Sequence, residues 1–312
     1  MTAITHSING VRLDSDWCTV QSGTSFLAGV SVRRQALTAS LRQGTVPSPY
    51  MPQFDERTFQ ITLNAWGGRF VDEVARIVRL ATLPTVILQR TVDDVAMECR
   101  AELVSVGEGS NSLPFVEPVA LTFAIPGVWW RSPTALSMEI PLTGGEITPP
   151  VGPAITNGKG WWTRALGEPD NSPSVLVNFV TMALGPKDNS PSLLYTGIPE
   201  GFFGDAPIPD AILRFPASAT SATFTDPASG TGVSWQGAAG SGYTYLDCGT
   251  LTAWRSADHD AWDGGASTGG VDYPAAGPLQ INPASDGGYA VSAKVQGTTD
   301  GNLIVHFKQS WW

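Results

Sequence analysis

The sequence has 312 residues and sets 18 Lys and Arg against 28 Asp and Glu, a formal charge of −10, with 34 Gly and 24 Pro. An acidic chain of this kind lacks the basic footprint that a nucleic-acid partner requires, and no apolar run reaches the ~18 residues that mark a membrane-spanning helix. Cys18, Cys99 and Cys248 are too few and too widely spaced for a disulfide framework or a zinc motif. The length suggests two domains, and charged residues at 15% with abundant Gly and Pro favour many short strands over long helices.

The opening "INGVRL" places Asn9-Gly10, the preferred pair for a type I′ hairpin turn, between Ile8 and Val11. "WCTV" and "VSVRRQ" follow as short strands. In "TFQITLNAWG" the alternation puts Phe59, Ile61, Leu63 and Ala65 on one face. The next stretch changes period. Phe70, Val74, Ile77, Val78 and Ala81 recur at helical spacing, so a helix is predicted over about residues 69–82. Asp72 and Glu73 in its first turn suit the helix dipole, Asp72 and Arg76 form an i,i+4 pair, and Leu83-Pro84 ends it. Strands resume at "TVILQRTV", at "VAMECRAELVSV" with Met97, Cys99, Ala101 and Leu103 on one face, and at "EPVALTFAIPGVWW" with Val119, Leu121, Phe123 and Ile125 on one face.

Residues 1–131 therefore read as one β-rich, sandwich-like domain with a single helix. Residues 132–204 are rich in Pro, Gly and Thr and read as a linker or an elaborated connection. They hold a small repeat in which "GEPDNSPSVL" at 167–176 is echoed by "GPKDNSPSLL" at 185–194, two similar turns with "VLVNFVTMAL" between them. Residues 205–312 alternate strands and turns throughout, the pattern of a β-sandwich or jelly roll. The fold class is mainly β. In the last strand, Leu303, Val305, Phe307, Gln309 and Trp311 share one face and Trp312 lies on the other, which places Trp311 in the core.

Motifs for catalysis are lacking. His6, His259 and His306 are far apart, and no nucleophile elbow, H-E-x-x-H or P-loop occurs. One loop, "SADHDAWDGG", gathers Asp258, His259, Asp260 and Asp263, residue types that ligate cations, but their spacing matches no EF-hand and a solvated loop accounts for them better than a metal site does. Trp254 and Trp262 flank it, rings that can stack on a sugar, cap the core or meet a neighbouring subunit.

Taken in order, these segments resemble the distal tail proteins of long-tailed, siphovirus-type bacteriophages. "ITHSINGVRLDSDWCTV" is similar to the family's opening hairpin. "GDAPIPDAILRFPASATSATFTDPASGTGVSW", "GYTYLDCGTLTAW", "PLQINPASDGGYAVSAKV" and a last strand ending in Trp resemble its C-terminal, galectin-like β-sandwich. The resemblance covers 1–131 and 205–312.

It implies a structural, non-enzymatic virion protein without cofactors, which forms a homo-oligomeric ring, hexameric in the family, at the tail tip or baseplate. The N-terminal domains would join the tail tube to the hub and tape-measure proteins, and the C-terminal domains would point outward and carry receptor-binding proteins. Some outer domains of the family bind carbohydrate, so host cell-wall sugar is a candidate partner, with Trp254, Trp262 and Trp312 as candidate glycan or subunit contacts. The N-terminus has no basic region followed by an apolar stretch, so no secretory signal is expected, in keeping with synthesis in the host cytoplasm and location in the virion. A carbohydrate-binding β-sandwich module, or a receptor-binding tail protein acting at the host surface, stands as the alternative.

Overall fold

The computed structural model describes residues 4–21, 24, 29–33, 52–92, 95–108, 116–141, 163–165, 179–184, 192–196, 204–283, 291–298 and 301–312. The chain divides into two compact units, 1–133 together with Trp312, and 134–311. Both are built mainly of β-strands, with α1 the one helix among the described residues.

The first unit contains β1 (Ile4–Ile8), β2 (Val11–Arg12), β3 (Cys18–Val20), β4 (Val32–Arg33), β5 (Gln53–Phe54), β6 (Arg57–Trp66), α1 (Phe70–Ala81), β7 (Val86–Val92), β8 (Val95–Glu108), β9 (Val116–Ile125) and β10 (Trp130–Arg131). Its main sheet runs β2-β1-β7-β8-β9-β6-β3, with β10 beside β8. Asn9 and Gly10 take positive φ (50° and 79°), as a type I′ turn requires, and Ile8 pairs with Val11 across it. The period-2 reading holds well. Phe59, Ile61, Leu63 and Ala65 are buried on β6, and Leu121, Phe123 and Ile125 on β9, which pairs with it along its whole length.

Besides β10, β8 serves two long partners in turn. Val95–Ala101 pair with β7, while Glu102–Glu108 pair with β9. The register slips between Leu103 and Ser105, which makes Val104 the extra residue of a bulge, 62% exposed. The face Met97, Cys99, Ala101 is buried as expected, but it fades at Leu103, which is half-buried where the bulge begins.

Helix α1 forms within the expected range. The expected Asp72–Arg76 pair does not: Arg76 instead pairs with Glu73, one turn back, at 2.8 Å. Thr82 closes the helix by returning both its backbone N–H and its hydroxyl to the Val78 carbonyl.

The second unit contains β11 (Leu136–Pro141), β12 (Thr163–Ala165), β13 (Phe179–Leu184), β14 (Ser192–Thr196), β15 (Ile212–Pro216), β16 (Ser221–Thr225), β17 (Gly232–Gln236), β18 (Tyr243–Asp247), β19 (Thr252–Ser256), β20 (Val271–Asp272), β21 (Val291–Gln296), β22 (Asn302–Phe307) and β23 (Ser310–Trp311). Five strands form one sheet, β11-β22-β15-β18-β19, and seven form another, β12-β13-β14-β21-β16-β17-β20. Leu213, Phe215, Leu246, Val305 and Phe307 from the first meet Phe224, Val233, Trp235, Ala293 and Val295 from the second in one buried cluster, so the unit is a β-sandwich. Apart from Ser192, both copies of "DNSPS" lie outside the described residues, as does the "INPASDGG" turn beyond Pro283.

The reading of the last strand needs correction. β22 ends at Phe307, and Lys308 and Gln309 leave the sheet, so the alternation is broken before the tryptophans. Ser310 is fully buried and Trp311 only half-buried, the reverse of what an unbroken strand would give. The Ser310 carbonyl accepts the backbone N–H groups of Asp205 and Ala206, at 2.9 and 3.1 Å. A Cβ at Gly204, whose φ is +93°, would stand 1.8 Å from that oxygen, so the "GDAP" segment needs its glycine to let the chain end approach.

Candidate functional site

Tyr245 on β18 lies directly across from Trp254 on β19, and cross-strand partners share a face, so the rings stack at 5.4 Å and 5°. The loop after β19 folds over them. The Tyr245 hydroxyl donates to the Asp258 carbonyl at 2.6 Å, and the Trp254 indole N–H donates to the Ala261 carbonyl at 3.0 Å. Trp254 is thereby buried, 3% exposed, and presents no ring to a sugar or a subunit. Trp262 is half-buried. Its edge meets Tyr245 at 5.3 Å, its face lies on His306 at 4.2 Å and 10°, and the Arg214 guanidinium stands 5.4 Å from the ring centre. With one face on His306, it offers a sugar less stacking surface than a free indole.

The acidic loop is held by its own hydrogen bonds. Asp258 accepts the Asp260 N–H at 3.0 Å, Asp260 accepts the Trp262 indole N–H at 3.3 Å, and Arg214 donates to the His259 carbonyl. His259 lies between the carboxylates of Asp258 (3.6 Å) and Asp260 (3.0 Å). Asp258, His259, Asp260 and Asp263 are all exposed, and no group of three metal-ligating side chains is gathered among the described residues. The carboxylates shape a turn by capping N–H groups, which is the ordinary work of Asp in a loop.

His306 faces Trp262, and its Nδ1 lies 2.8 Å from the Ser137 hydroxyl. Burial lowers its pKa, against the opposing pull of Asp260. In the first unit His6 is 7% exposed, its Nδ1 has no hydrogen-bond partner, and burial with the nearby Arg90 charge lowers its pKa too, against the weaker pull of Asp14. Both imidazoles are thus harder to protonate folded than unfolded. Their contribution is complete above the ordinary value of 6.5 and is lost as pH falls below it. The thermal midpoint is expected to drop between pH 6.5 and about 5, and the drop should shrink in His6→Gln/His306→Gln. An equal slope in that variant would assign the acid sensitivity elsewhere. The thiols do not titrate in this range, since burial pushes Cys18 up to about 11 and Cys99 up to about 12.

Trp312 belongs to the first unit. Its ring packs edge-on against Trp129 at 4.6 Å and Phe54 at 5.4 Å, and its carbonyl oxygen accepts a hydrogen bond from Arg90 at 2.7 Å. Arg90 occupies a core-facing position of β7 between Leu88 and Val92, where a charge signals a fixed partner.

The first unit also carries an incompletely covered apolar surface. On α1 only Ile77 and Ala81 are buried, while Phe70, Val74 and Val78 are half-buried and Val71 is 62% exposed. These side chains, with Val106 and Val119, line a groove of about 480 Å³ between the helix and the ends of β8 and β9. Periodicity identified the apolar stripe. It did not show that the sheet covers only part of it.

No protein-family model and no curated protein matches the sequence. Solved structures do. The SPP1 Dit (gp 19.1) protein, described as a paradigm of the hub adsorption apparatus of phages infecting Gram-positive bacteria, superposes with a TM-score of 0.53 at 12% identity, covering 99% of this chain and 100% of that one. A chain of the phage P2 baseplate in its activated, calcium-bound conformation gives a TM-score of 0.38 at 9% identity, covering 98% of each chain. The first match shows that this chain shares the fold of the SPP1 Dit protein, so the resemblance read from the sequence holds for the fold.

Proposed function

We propose that this chain is a structural subunit of a bacteriophage tail tip, a distal tail protein that closes into a homo-oligomeric ring, hexameric as in the resembling family. In this reading the first unit joins the tail tube to the hub and tape-measure proteins, and the second presents receptor-binding proteins outward. The protein is a virion component without catalytic activity or cofactor. The observation that carries the reading is the shared fold with the SPP1 hub protein, a match that covers 99% of this chain and 100% of that one. The surface supports it: of the ten large apolar residues that stand exposed among the described residues, nine lie between Ile4 and Val106 in the first unit and one, Tyr273, in the second. Apolar exposure concentrated on one unit is the mark of an assembly surface.

The purified chain at tens of micromolar is expected to give a discrete ring, hexameric by native mass spectrometry and visible as an annulus in negative stain. A strict monomer at that concentration overturns the reading. Binding of the monomer to host cell-wall polysaccharide, abolished in Trp262→Ala, would favour the carbohydrate-binding alternative instead.

A further inference from the structure

Asn9-Gly10 is a reactive pair as well as a turn. Once the Gly10 nitrogen loses its proton, it can attack the side-chain carbonyl carbon of Asn9. A C–N bond closes a five-membered succinimide and ammonia leaves. Water then opens the ring to aspartate or isoaspartate. The reaction needs a Gly10 nitrogen free of other engagement and an Asn9 side chain free to turn back on it. Glycine, lacking a Cβ, does not obstruct the approach. Both residues are exposed, and nothing lies within 4 Å of where a Gly10 Cβ would stand, so water and base reach the pair.

The fold engages the groups that the reaction uses. The Gly10 N–H donates to Gln89 Oε1 at 2.9 Å. The Asn9 amide is held at both ends: its Oδ1 accepts the Ile87 N–H at 2.8 Å, and its Nδ2 donates to the Thr85 carbonyl at 3.1 Å. The Asn9 N–H donates to the Ile87 carbonyl at 2.9 Å. Every one of these partners lies on β7 or just before it. The hold therefore lasts while β1 pairs with β7, from Ile4 opposite Val92 to Ile8 opposite Leu88, and ends where that pairing opens.

We propose that Asn9 is a site of covalent self-modification that docking of the β1–β2 hairpin on β7 keeps closed, so that its conversion marks irreversibly the chains whose hairpin has come away. The product does not resume the contact. Aspartate sets a carboxylate oxygen against the Thr85 carbonyl, where Nδ2 donated. Isoaspartate adds a backbone atom to the tight turn and spoils the pairing of Ile8 with Val11. In the sheet β1 stands between β2 and β7, so a hairpin that stays away bares the β7 edge and uncovers His6 and Ile8, both buried. The site stands independently of the ring reading.

Incubation of the full-length chain at mildly alkaline pH, followed by mass spectrometry of the tryptic peptide 1–12, measures the conversion. It should run at least about tenfold faster in urea than in the folded chain. Gln89→Ala frees the Gly10 N–H and should speed conversion of the folded chain by about fivefold, with the rate in urea unchanged. Asn9→Asp should show faster amide hydrogen exchange along β1 than the wild type. Equal rates in the folded and the urea-unfolded chain overturn the guard, and absence of conversion in urea overturns the site. A wild-type rate in folded Gln89→Ala overturns the hold on Gly10. Unchanged protection of β1 in Asn9→Asp overturns the irreversible mark. Should Gln89→Ala fail to fold, the comparison of folded and unfolded wild type still decides whether the site is guarded.

Discussion

Trp130→Ala is expected to destabilise the first unit by about 5 kcal/mol, enough to leave a domain of ordinary stability largely unfolded at 37 °C. The ring is 1% exposed and meets Phe59 edge-on at 5.5 Å. Its face carries the Arg90 guanidinium, 4.2 Å from the ring centre. Arg90 is itself 2% exposed, and it also donates to Met97 Sδ and to the Trp312 carbonyl. Truncation therefore removes a large apolar volume, about 3–5 kcal/mol by itself, and strips a buried cation of its π partner, about 1–2 kcal/mol more. Trp130→Phe should recover most of this. The Trp130 indole N–H is buried without a hydrogen-bond partner, so phenylalanine forfeits volume but no polar contact. Urea denaturation read by circular dichroism measures both variants. A loss below about 2 kcal/mol in Trp130→Ala would mean that the ring and the cation do not act together.

The parts of this molecule that were legible in the sequence are those where a local pattern decides the outcome. Alternation on β6 and β9 identified the buried faces because a strand has only two faces and one of them must be the core. Asn9-Gly10 announced its turn because few other pairs tolerate two positive φ values. What failed depended on distant chain. Trp311 looked like core by parity, but parity presumes an unbroken strand, and the chain leaves the sheet at Lys308–Gln309 to reach Gly204–Ala206. Trp254 was open to three readings as a ring on a loop-flanking strand, and only the fold of residues 258–262 over it decides that it is buried. α1 showed an apolar stripe, while the extent of its cover is set by how far β8 and β9 run beneath it. Two arginines break the pattern of their strands. Arg57 and Arg90 stand in register with apolar neighbours on strands whose alternation was otherwise plain. Both are buried, and Arg57 donates to the Val128 carbonyl at a residue with φ of 64°. A charge on the core side of a clean strand marks a place where the fold has supplied a partner.

The second large effect is expected in the second unit. Asp226→Ala should cost about 3 kcal/mol, because this carboxylate serves backbone, hydroxyl and amide donors at one turn. Asp226 is fully buried. One oxygen accepts the Ala228 N–H at 3.3 Å; the other accepts the Ser229 N–H at 3.2 Å, the Ser229 hydroxyl at 2.6 Å and the Asn282 side-chain amide at 2.8 Å. Thr231 extends the network by donating to the Gln280 carbonyl at 3.1 Å. Residues 226–231 turn the chain from β16 into β17, and the carboxylate ties that turn to the Gln280–Asn282 segment that crosses beside it. Alanine leaves several buried donors without their acceptor, and each unsatisfied donor carries a desolvation cost of about 1–3 kcal/mol. Asp226→Asn keeps the volume but turns an N–H₂ group toward donors, so it should recover only part of the loss. Asn282→Ala completes a double-mutant cycle, since the two side chains meet directly. The coupling between Asp226 and Asn282 is expected to reach about 1 kcal/mol or more, and strict additivity would show that the turn stands without its tether. Because this network is buried and uses only neutral donors, its strength should be insensitive to salt. The loss in Asp226→Ala should therefore stay constant across a salt series, and a loss that shrinks as salt rises would place a screened charge in the network.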